Sequence, residues 1–304
     1  MKKIKLATLL VIACFGGLKA QQLPIYSQYM LNNFSLNPAI AGTDGYWNVK
    51  SDNRFQWMGI TDAPRTYMLT FDGPITTQHI GIGAYVFTDI TGPTRRTGFT
   101  SAYSYHLKLT DNLKLSLGIS AGILQFSVDG QAITLIQQND QALVNQFESA
   151  IVPDFAAGAY LYNDKFYVGI SAPQIVPVTA KLNNFAGADD EMVTHFYATA
   201  GYKFDLGHEF ELDPCFVANY VNPVPPQFDL GARLIYTKKF WIGAGYRTMD
   251  AAYALVGYTY QDAITFGFSY DYSVTDIQKY SSGTTEIFIG IKFNKHKSPD
   301  HPLM

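Results

Sequence analysis

Hydrophobic and polar residues alternate at every second position along much of this chain. Over 113–123, leucine, isoleucine and alanine at the odd positions alternate with lysine, serine and glycine at the even positions. Over 47–57, tryptophan, valine and phenylalanine alternate with Asn48, Lys50, Asp52, Arg54 and Gln56. A period of two is typical of a strand whose two faces meet different surroundings, whereas an amphipathic helix repeats every 3.6 residues.

The same alternation predicts about fourteen strands over 45–293. They are placed near 45–57, 65–73, 78–88, 97–109, 113–126, 153–162, 165–172, 193–204, 209–221, 227–236, 239–247, 251–260, 263–272 and 284–293. Most are close to the length of about 9–11 residues with which a tilted strand crosses a bilayer. An even number of strands is expected of a bacterial outer-membrane barrel.

The connections between these strands alternate in length. Those at 110–112, 163–164 and 261–262 are tight turns, whereas 127–152 and 173–192 are long. Outer-membrane barrels have short periplasmic turns and longer outer loops. The sequence therefore predicts an all-β fold, a transmembrane antiparallel up-and-down β-barrel with both ends in the periplasm. The outer connections 222–226 and 248–250 are short, and the pattern does not explain them.

Composition favours the same class. Charged residues make up only 15% of the chain, against about 25% in an ordinary soluble domain. Aromatic residues reach 15%, which is typical of barrels with aromatic girdles, and Trp57 is a candidate interface anchor. The net charge of −3 argues against a nucleic-acid partner.

The two ends of the chain carry other signals. Residues 1–20 combine early lysines, a short apolar run and Ala20, which predicts a secretory signal peptide. Lipidation at Cys14 is the competing interpretation. We expect residues 294–304 to form a periplasmic tail and the processed protein to reside in the cell outer membrane.

Residues 21–44 are not strand-like, and two interpretations remain open: a periplasmic lead-in, or a plug inside the barrel. The candidate plug and lumen residues are Tyr26, Gln28, Tyr29, Asn37, Pro38, Gly42, Arg54, Gln56 and Asp72. Arg54 faces the predicted lumen. It is expected either to form an ion pair across the lumen, with Asp72 on the next strand as the candidate partner, to orient the plug, or to do both.

Three motifs resemble one known family. They are Ile25-Tyr26-Ser27-Gln28-Tyr29-Met30 with Asn37-Pro38-Ala39, then Arg54-Phe55-Gln56-Trp57 followed by Ala63-Pro64-Arg65-Thr66-Tyr67, and the ending Gly283-Thr284-Thr285-Glu286-Ile287. Together they resemble the PorP/SprF outer-membrane proteins of the type IX secretion system of Bacteroidetes. The resemblance implies work beside the secretion and gliding machinery. It also implies export or cell-surface retention of one secreted partner through that partner's C-terminal domain.

The sequence offers no chemistry for an enzyme. Its six histidines lack metal-ligand spacing, and no nucleotide-binding glycine motif is present. We therefore expect no catalytic, metal or cofactor site. Asp189-Asp190-Glu191 is either a calcium site or a solvated loop, and Arg95-Arg96 is a candidate contact for lipopolysaccharide phosphates.

Partner binding is expected on the long outer loops 127–152, 173–192 and 273–283, and the alternative is that the tail of the partner enters the lumen. Their candidate contact residues are Phe147, Ile175, Val176, Phe185 and Tyr280. The expected partners are the secreted protein, other type IX components, and membrane lipid with lipopolysaccharide. The alternative function is a plugged outer-membrane channel for small or hydrophobic solutes.

Overall fold

The computed structural model describes residues 23–75, 79–132, 147–182 and 190–293, and nearly all of them lie in strands or tight turns. In chain order the strands are β1 Trp47–Phe55, β2 Arg65–Pro74, β3 Ile80–Thr91, β4 Thr94–Lys108, β5 Lys114–Asp129, β6 Phe147–Tyr162, β7 Phe166–Ala172, β8 Thr179–Ala180, β9 Asp190–Glu191, β10 His195–Tyr202, β11 Phe204–Gly207, β12 Phe210–Val221, β13 Val224–Tyr236, β14 Phe240–Arg247, β15 Ala251–Tyr260, β16 Ile264–Ser273 and β17 Thr284–Phe293.

These strands close into one antiparallel barrel. Each wall strand pairs with its neighbour in sequence, and β1 pairs with β17 from Trp47↔Phe293 to Phe55↔Thr285. Strand β11 continues β10 after a break at Lys203, because both pair with β12. The wall therefore has fourteen strands, as the alternation predicted, and β8 and β9 form a separate two-stranded ribbon. Closure leaves no edge strand with unpaired backbone groups in lipid.

The two faces of the wall differ in chemistry. Outward side chains are large, apolar and exposed, as at Ile119 and Leu230, which are each 63% exposed. Inward side chains are small or polar and buried, as at Thr70, Ser104 and Ser116. This is the arrangement that a barrel needs between lipid outside and a filled lumen inside. In the described part of the chain, no helix is long and apolar enough to cross a membrane.

The long connections all lie at one end of the barrel, which we call the outer end because outer loops are the longer ones. There β6 begins at Phe147, opposite Asp129 on β5, so Phe147 starts a strand instead of lying in a loop. The loop after β7 folds inward, where Ala180 and Met192 join a buried apolar cluster with Leu124 of β5.

Residues 23–44 run through the lumen from the outer end to the inner end. The segment contains two 3-10 turns, Asn33–Ser35 and Pro38–Ile40. Asn37 begins the second turn with its side-chain oxygen accepting from the Ala39 N–H at 2.9 Å. That is the usual role of asparagine before a helical turn that opens on proline. The predicted signal peptide, the predicted tail, Asp189 and Phe185 lie outside the described residues.

Candidate functional site

The lumen segment is held by a cluster of buried polar groups in the outer half of the barrel. We call this the lumen latch, and its members are Ser27, Gln28, Tyr29, Arg54, Asp229, Arg247, Asp250, Tyr253, Asp271 and Glu286. Alternation along the strands directs the side chains of the wall members into the lumen. In the pairing of β1 with β17, Arg54 lies opposite Glu286. Arg54, Asp271 and Glu286 are each no more than 3% exposed.

Glu286 binds the backbone of the lumen segment. One of its carboxylate oxygens accepts from the Ser27 N–H at 3.0 Å, and the other accepts from the Gln28 N–H at 2.8 Å. The Gln28 amide in turn donates to the Glu286 carbonyl oxygen at 3.1 Å. A carboxylate that accepts two consecutive backbone N–H groups fixes both the position and the direction of that backbone.

Ser27 joins both arginines to the wall. Its hydroxyl donates to Asp271 Oδ2 at 2.6 Å and accepts from Arg247 Nη2 at 3.0 Å and from Arg54 Nη1 at 3.3 Å. Arg54 also forms ion pairs with Asp271 at 2.9 Å and with Glu286 at 3.0 Å. The side chain of one small residue therefore lies at the centre of a charged network.

The second half of the latch is built on Arg247 and Asp229. Arg247 forms ion pairs with Asp229 and with Asp250, both at 2.9 Å. Asp229 also accepts hydrogen bonds from the phenols of Tyr29, at 3.2 Å, and of Tyr253.

The segment adds hydrogen bonds to the carboxylates of the latch. Two arginines pair with four carboxylates, those of Asp229, Asp250, Asp271 and Glu286, and all but the partly exposed Asp250 are buried. Ser27, Gln28 and Tyr29 of the segment donate to Asp271, Glu286 and Asp229, respectively. Buried ion pairs of this kind need not stabilise the folded protein, but they define one position of the lumen segment against the wall strands.

Further contacts bind the rest of the segment around the barrel. They join segment atoms to four wall strands, β2, β4, β6 and β7: Thr70 donates to Asn32 at 3.1 Å, Asn37 donates to the carbonyls of Ala159 and Ile170 at 3.1 Å each, Ser171 donates to the Leu36 carbonyl at 2.6 Å, Ser104 donates to the Ala41 carbonyl at 2.7 Å, and Gly42 donates to Asp72 at 3.3 Å. The segment thus contacts the wall from β2 round to β17. Whether it acts as a plug against solutes stays a prediction.

Glycines in the wall make room for the segment. A Cβ atom added to Gly81 would lie 1.9 Å from the Ala41 carbonyl oxygen, and one added to Gly118 would lie 2.3 Å from the Ala39 nitrogen. A Cβ at Gly158 would lie 2.0 Å from the side-chain oxygen of Asn37. Only glycine allows the two backbones to approach this closely.

One predicted contact of Arg54 is wrong. The register of β1 with β2 places Asp72 opposite Asn48, and Arg54 opposite Thr66. Asp72 therefore lies six residues along the strand from Arg54, about 20 Å away. Its carboxylate instead accepts a hydrogen bond from the Gly42 N–H near the inner end of the barrel.

Trp57 also differs from its expected position on the outer wall. Strand β1 ends at Phe55, so the alternation no longer applies to Trp57, which has a φ of 49°. Its N–H donates to the Thr284 hydroxyl at 3.0 Å. The Trp57 side chain lines the outer mouth of the barrel together with Gln56.

The loop candidates lie apart from the latch. Ile175, Val176 and Tyr280 are exposed at the outer end, Tyr280 to 76%. Phe147 is 66% exposed at the outer tip of β6. These side chains form scattered apolar points around the rim.

Two cavities lie at the two ends of the segment. The outer cavity holds about 440 Å³ and is lined by Leu23, Pro24 and Ile25 of the segment together with Trp57 and Met249. It opens beside the connections 222–223 and 248–250. These connections are short, so the outer rim of the barrel is low there and gives access to the cavity. The inner cavity holds about 1320 Å³, and its wall includes Thr43 and Asp44 of the segment.

Sequence reasoning missed most of the latch. Ser27, Asp229, Arg247, Asp271 and Glu286 were not singled out as site residues. Their signal was present, because four of the five are charged residues at inward positions of strands in a chain that has few charges. Among the described residues, no group of three or more histidine, cysteine or carboxylate side chains is arranged to hold a metal.

Comparison with known proteins gives one family and a set of similar folds. The family model described as type IX secretion system membrane protein PorP/SprF matches residues 18–291. The toluene transporter TbuX of Ralstonia pickettii is similar in structure, with a TM-score of 0.50 and 12% identity over 89% of this chain and 94% of that one. The monoaromatic hydrocarbon channel CymD has a TM-score of 0.49 and 12% identity over 90% and 95%. No curated protein matches the chain.

Proposed function

This chain belongs to the PorP/SprF family of type IX secretion system membrane proteins, and from that premise we propose that it helps to export a secreted partner, retain it on the cell surface, or both. The partner is a secreted protein that carries a type IX C-terminal domain. The closed barrel and the family are those of an outer-membrane protein. Other secretion components and the surrounding lipid and lipopolysaccharide complete the proposed set of contacts.

The observation that carries this proposal is the filled lumen. A fourteen-stranded barrel is wide enough to enclose more than its own wall side chains. Here the latch and the wall glycines hold residues 23–44 inside it. A barrel filled in this way leaves its two mouths and its outer loops as the surfaces that can bind another protein.

A clean deletion of the gene tests the proposal. Surface-shaved proteins and medium proteins are compared by mass spectrometry between the deletion strain and the parent. We expect one large secreted protein to move from the surface to the medium or to disappear from both. Loss of all secreted proteins together would assign the barrel to the general machinery, and no change in any of them would contradict the proposal.

A channel for small or hydrophobic solutes is the second candidate. The outer cavity of about 440 Å³ favours it, because its size is within the range of about 300–1,000 Å³ that is usual for small-molecule sites. Deleting residues 22–42 is then expected to raise the rate at which liposomes swell in small solutes. An unchanged swelling rate would contradict the idea that this segment is what closes the channel.

A further inference from the structure

The inner cavity is a blind chamber, which we call the vestibule. It lies at the end of the barrel that has the short turns, so it opens to the periplasm. Its floor is the end of the lumen segment, where the Ala41 carbonyl accepts from Ser104 at 2.7 Å and lies 3.1 Å from His106 Nε2. A ligand can therefore enter it only from the periplasmic side.

Five lysines line the vestibule. Lys108 is paired with Asp111 at 3.1 Å. In the part of the chain that the structure describes, no carboxylate lies within ion-pair distance of the amines of the other four, Lys114, Lys165, Lys203 and Lys238. All four are exposed, and they come from four different places along the inner rim.

The geometry brings two of these lysines together. The Lys203 N–H donates to the Lys165 carbonyl at 2.7 Å, which joins the turn after β6 to the break between β10 and β11. Among the described residues, the acidic side chains that line the vestibule besides Asp111 are those of Asp44 and Asp164. The described lining of the chamber therefore carries an excess of positive charge.

One wall of the vestibule is aromatic. The ring of Tyr160 lies 5.3 Å from that of Tyr162 and 5.6 Å from that of Tyr167, measured between ring centroids. His106 holds the hydroxyl of Tyr162 at 3.0 Å from Nδ1. Tyrosines supply large rigid contact area at a low cost in side-chain entropy, which suits a binding surface for a peptide.

We propose that the vestibule binds an acidic peptide segment of a protein partner in the periplasm. Its volume of about 1320 Å³ exceeds the range of about 300–1,000 Å³ that is usual for a small molecule, so a stretch of chain fits it better. The lysines attract the acidic side chains, and the partly exposed rings of Tyr162 and Tyr167 pack against the apolar parts of the peptide. This site is separate from the outer loops to which the surface partner is assigned.

A lipid headgroup is the less suitable ligand. Lipid surrounds the outer face of the wall, whereas these lysines line a chamber inside the wall together with the lumen segment. A phosphate alone would occupy only a small part of the chamber. A peptide chain reaches the tyrosines and the lysines at once.

The test uses the purified full-length barrel in detergent and a fluorescein-labelled octaglutamate peptide as the probe. Binding is followed by fluorescence anisotropy at several salt concentrations. The variant replaces two adjacent lysines, Lys165→Glu with Lys203→Glu. The matched control makes the same change of charge at the outer end of the barrel, at Lys181→Glu with Lys279→Glu, both of which are exposed.

We expect the unmodified barrel to bind the peptide, with affinity falling as salt rises. The vestibule variant is expected to bind about ten-fold more weakly or worse, and the control variant to bind as the unmodified barrel does. Equal loss in both variants would show non-specific attraction and overturn the proposal. Displacement of the peptide by phosphatidylglycerol to the same extent in all three proteins would show that the lysines bind a lipid headgroup, and this would also overturn the proposal.

Discussion

Arg54 is held by groups from three separate parts of the chain: the lumen segment, β16 and β17. Its guanidinium reaches Ser27, Asp271 and Glu286 at 2.9–3.3 Å. Taking away one partner of a buried ion pair leaves the other charge without compensation, and this costs more than the intact pair contributes. The latch is therefore sensitive to single substitutions that preserve size.

Replacing Arg54 by methionine tests this at the scale of one residue. The variant leaves Glu286 buried without its cation and leaves Asp271 with Arg247 alone, at 3.8 Å, so we expect a loss of about 3–5 kcal/mol in the free energy of unfolding. The measurement is guanidinium unfolding in detergent, followed by tryptophan fluorescence. Arg65→Met is the matched control, because Arg65 is exposed on β2 and we expect its loss to change little.

A second substitution separates charge from shape. Adding Glu286→Gln to Arg54→Met removes the charge that the first change leaves without its cation, while keeping the side-chain outline. We expect the double variant to be more stable than Arg54→Met alone, with a coupling that a double-mutant cycle measures. A double variant that loses the sum of the two single losses would show that Arg54 does not act through Glu286.

The partners of Arg54 also show where sequence reasoning stopped. Alternation assigns Arg54 to the lumen face, because each strand residue must point to one of two sides. It does not say which groups meet across a lumen, since that depends on register and on the path of residues 23–44. The predicted pairing with Asp72 failed for this reason, and Asp271 and Glu286 were not found.

At the scale of elements, glycines in the wall allow the lumen segment to pack closely against the strands. Gly118 on β5 lies under the 3-10 turn that contains Ala39, and a Cβ there would lie 2.3–2.4 Å from Ala39 backbone atoms. Backbone atoms cannot move aside as a flexible side chain can. A single methyl group at this position must therefore push the segment away from the wall.

Gly118→Ala is accordingly expected to loosen the lumen segment while leaving the wall strands paired. The measurement is liposome swelling in small sugars, which should become faster. Gly290→Ala is the control, because its added Cβ would meet only the Phe288 ring at 3.0–3.1 Å and Lys50 at 3.8 Å, not the segment. Equal swelling rates for the two variants would show that the segment tolerates the methyl group or does not limit passage.

The loop after β7 belongs to the same scale. Its residues Ala180 and Met192 pack against Leu124, so cutting the whole loop away would uncover apolar lumen surface. Ile175 and Val176 are 40% and 44% exposed and can be changed without that damage. They are therefore the better place to test partner binding.

We expect Ile175→Asp with Val176→Asp to release the surface partner into the medium, because two charges in an apolar contact oppose its burial. Surface shaving with mass spectrometry measures the release, and cold SDS-PAGE checks that the barrel still folds. Thr179→Asp, an exposed change in the same loop, is the control. Full retention of the partner by the double variant would exclude this part of the loop as its binding site.

The strands themselves were predictable at this scale. All fourteen wall strands lie where alternation and turn residues put them, since lipid on one side and a packed lumen on the other impose a period of two. The largest difference is β6, which begins at Phe147, whereas the prediction began it at 153. There β5 and β6 are each 16 residues long, which is more than the about 9–11 residues with which a tilted strand crosses a bilayer.

At the scale of the whole molecule, the direction of residues 23–44 is the main finding that the sequence did not predict. Leu23 lines the outer cavity, whereas Asp44 lines the periplasmic vestibule. The segment thus passes through the lumen from outside to inside before β1 begins. If the predicted signal peptide is removed after Ala20, the new end of the chain is only two residues from Leu23.

Cysteine labelling tests this direction in intact cells. We expect Leu23→Cys to react with a maleimide that cannot cross the outer membrane, because Leu23 lies in the cavity at the low part of the rim. Thr43→Cys should react only after the outer membrane is permeabilised, since Thr43 lies in the vestibule. Met249→Cys, 55% exposed at the outer mouth, is the positive control, and the native Cys215 is buried and should contribute little. Labelling of Thr43→Cys but not Leu23→Cys in intact cells would reverse the assignment of the two ends and move the vestibule to the cell surface.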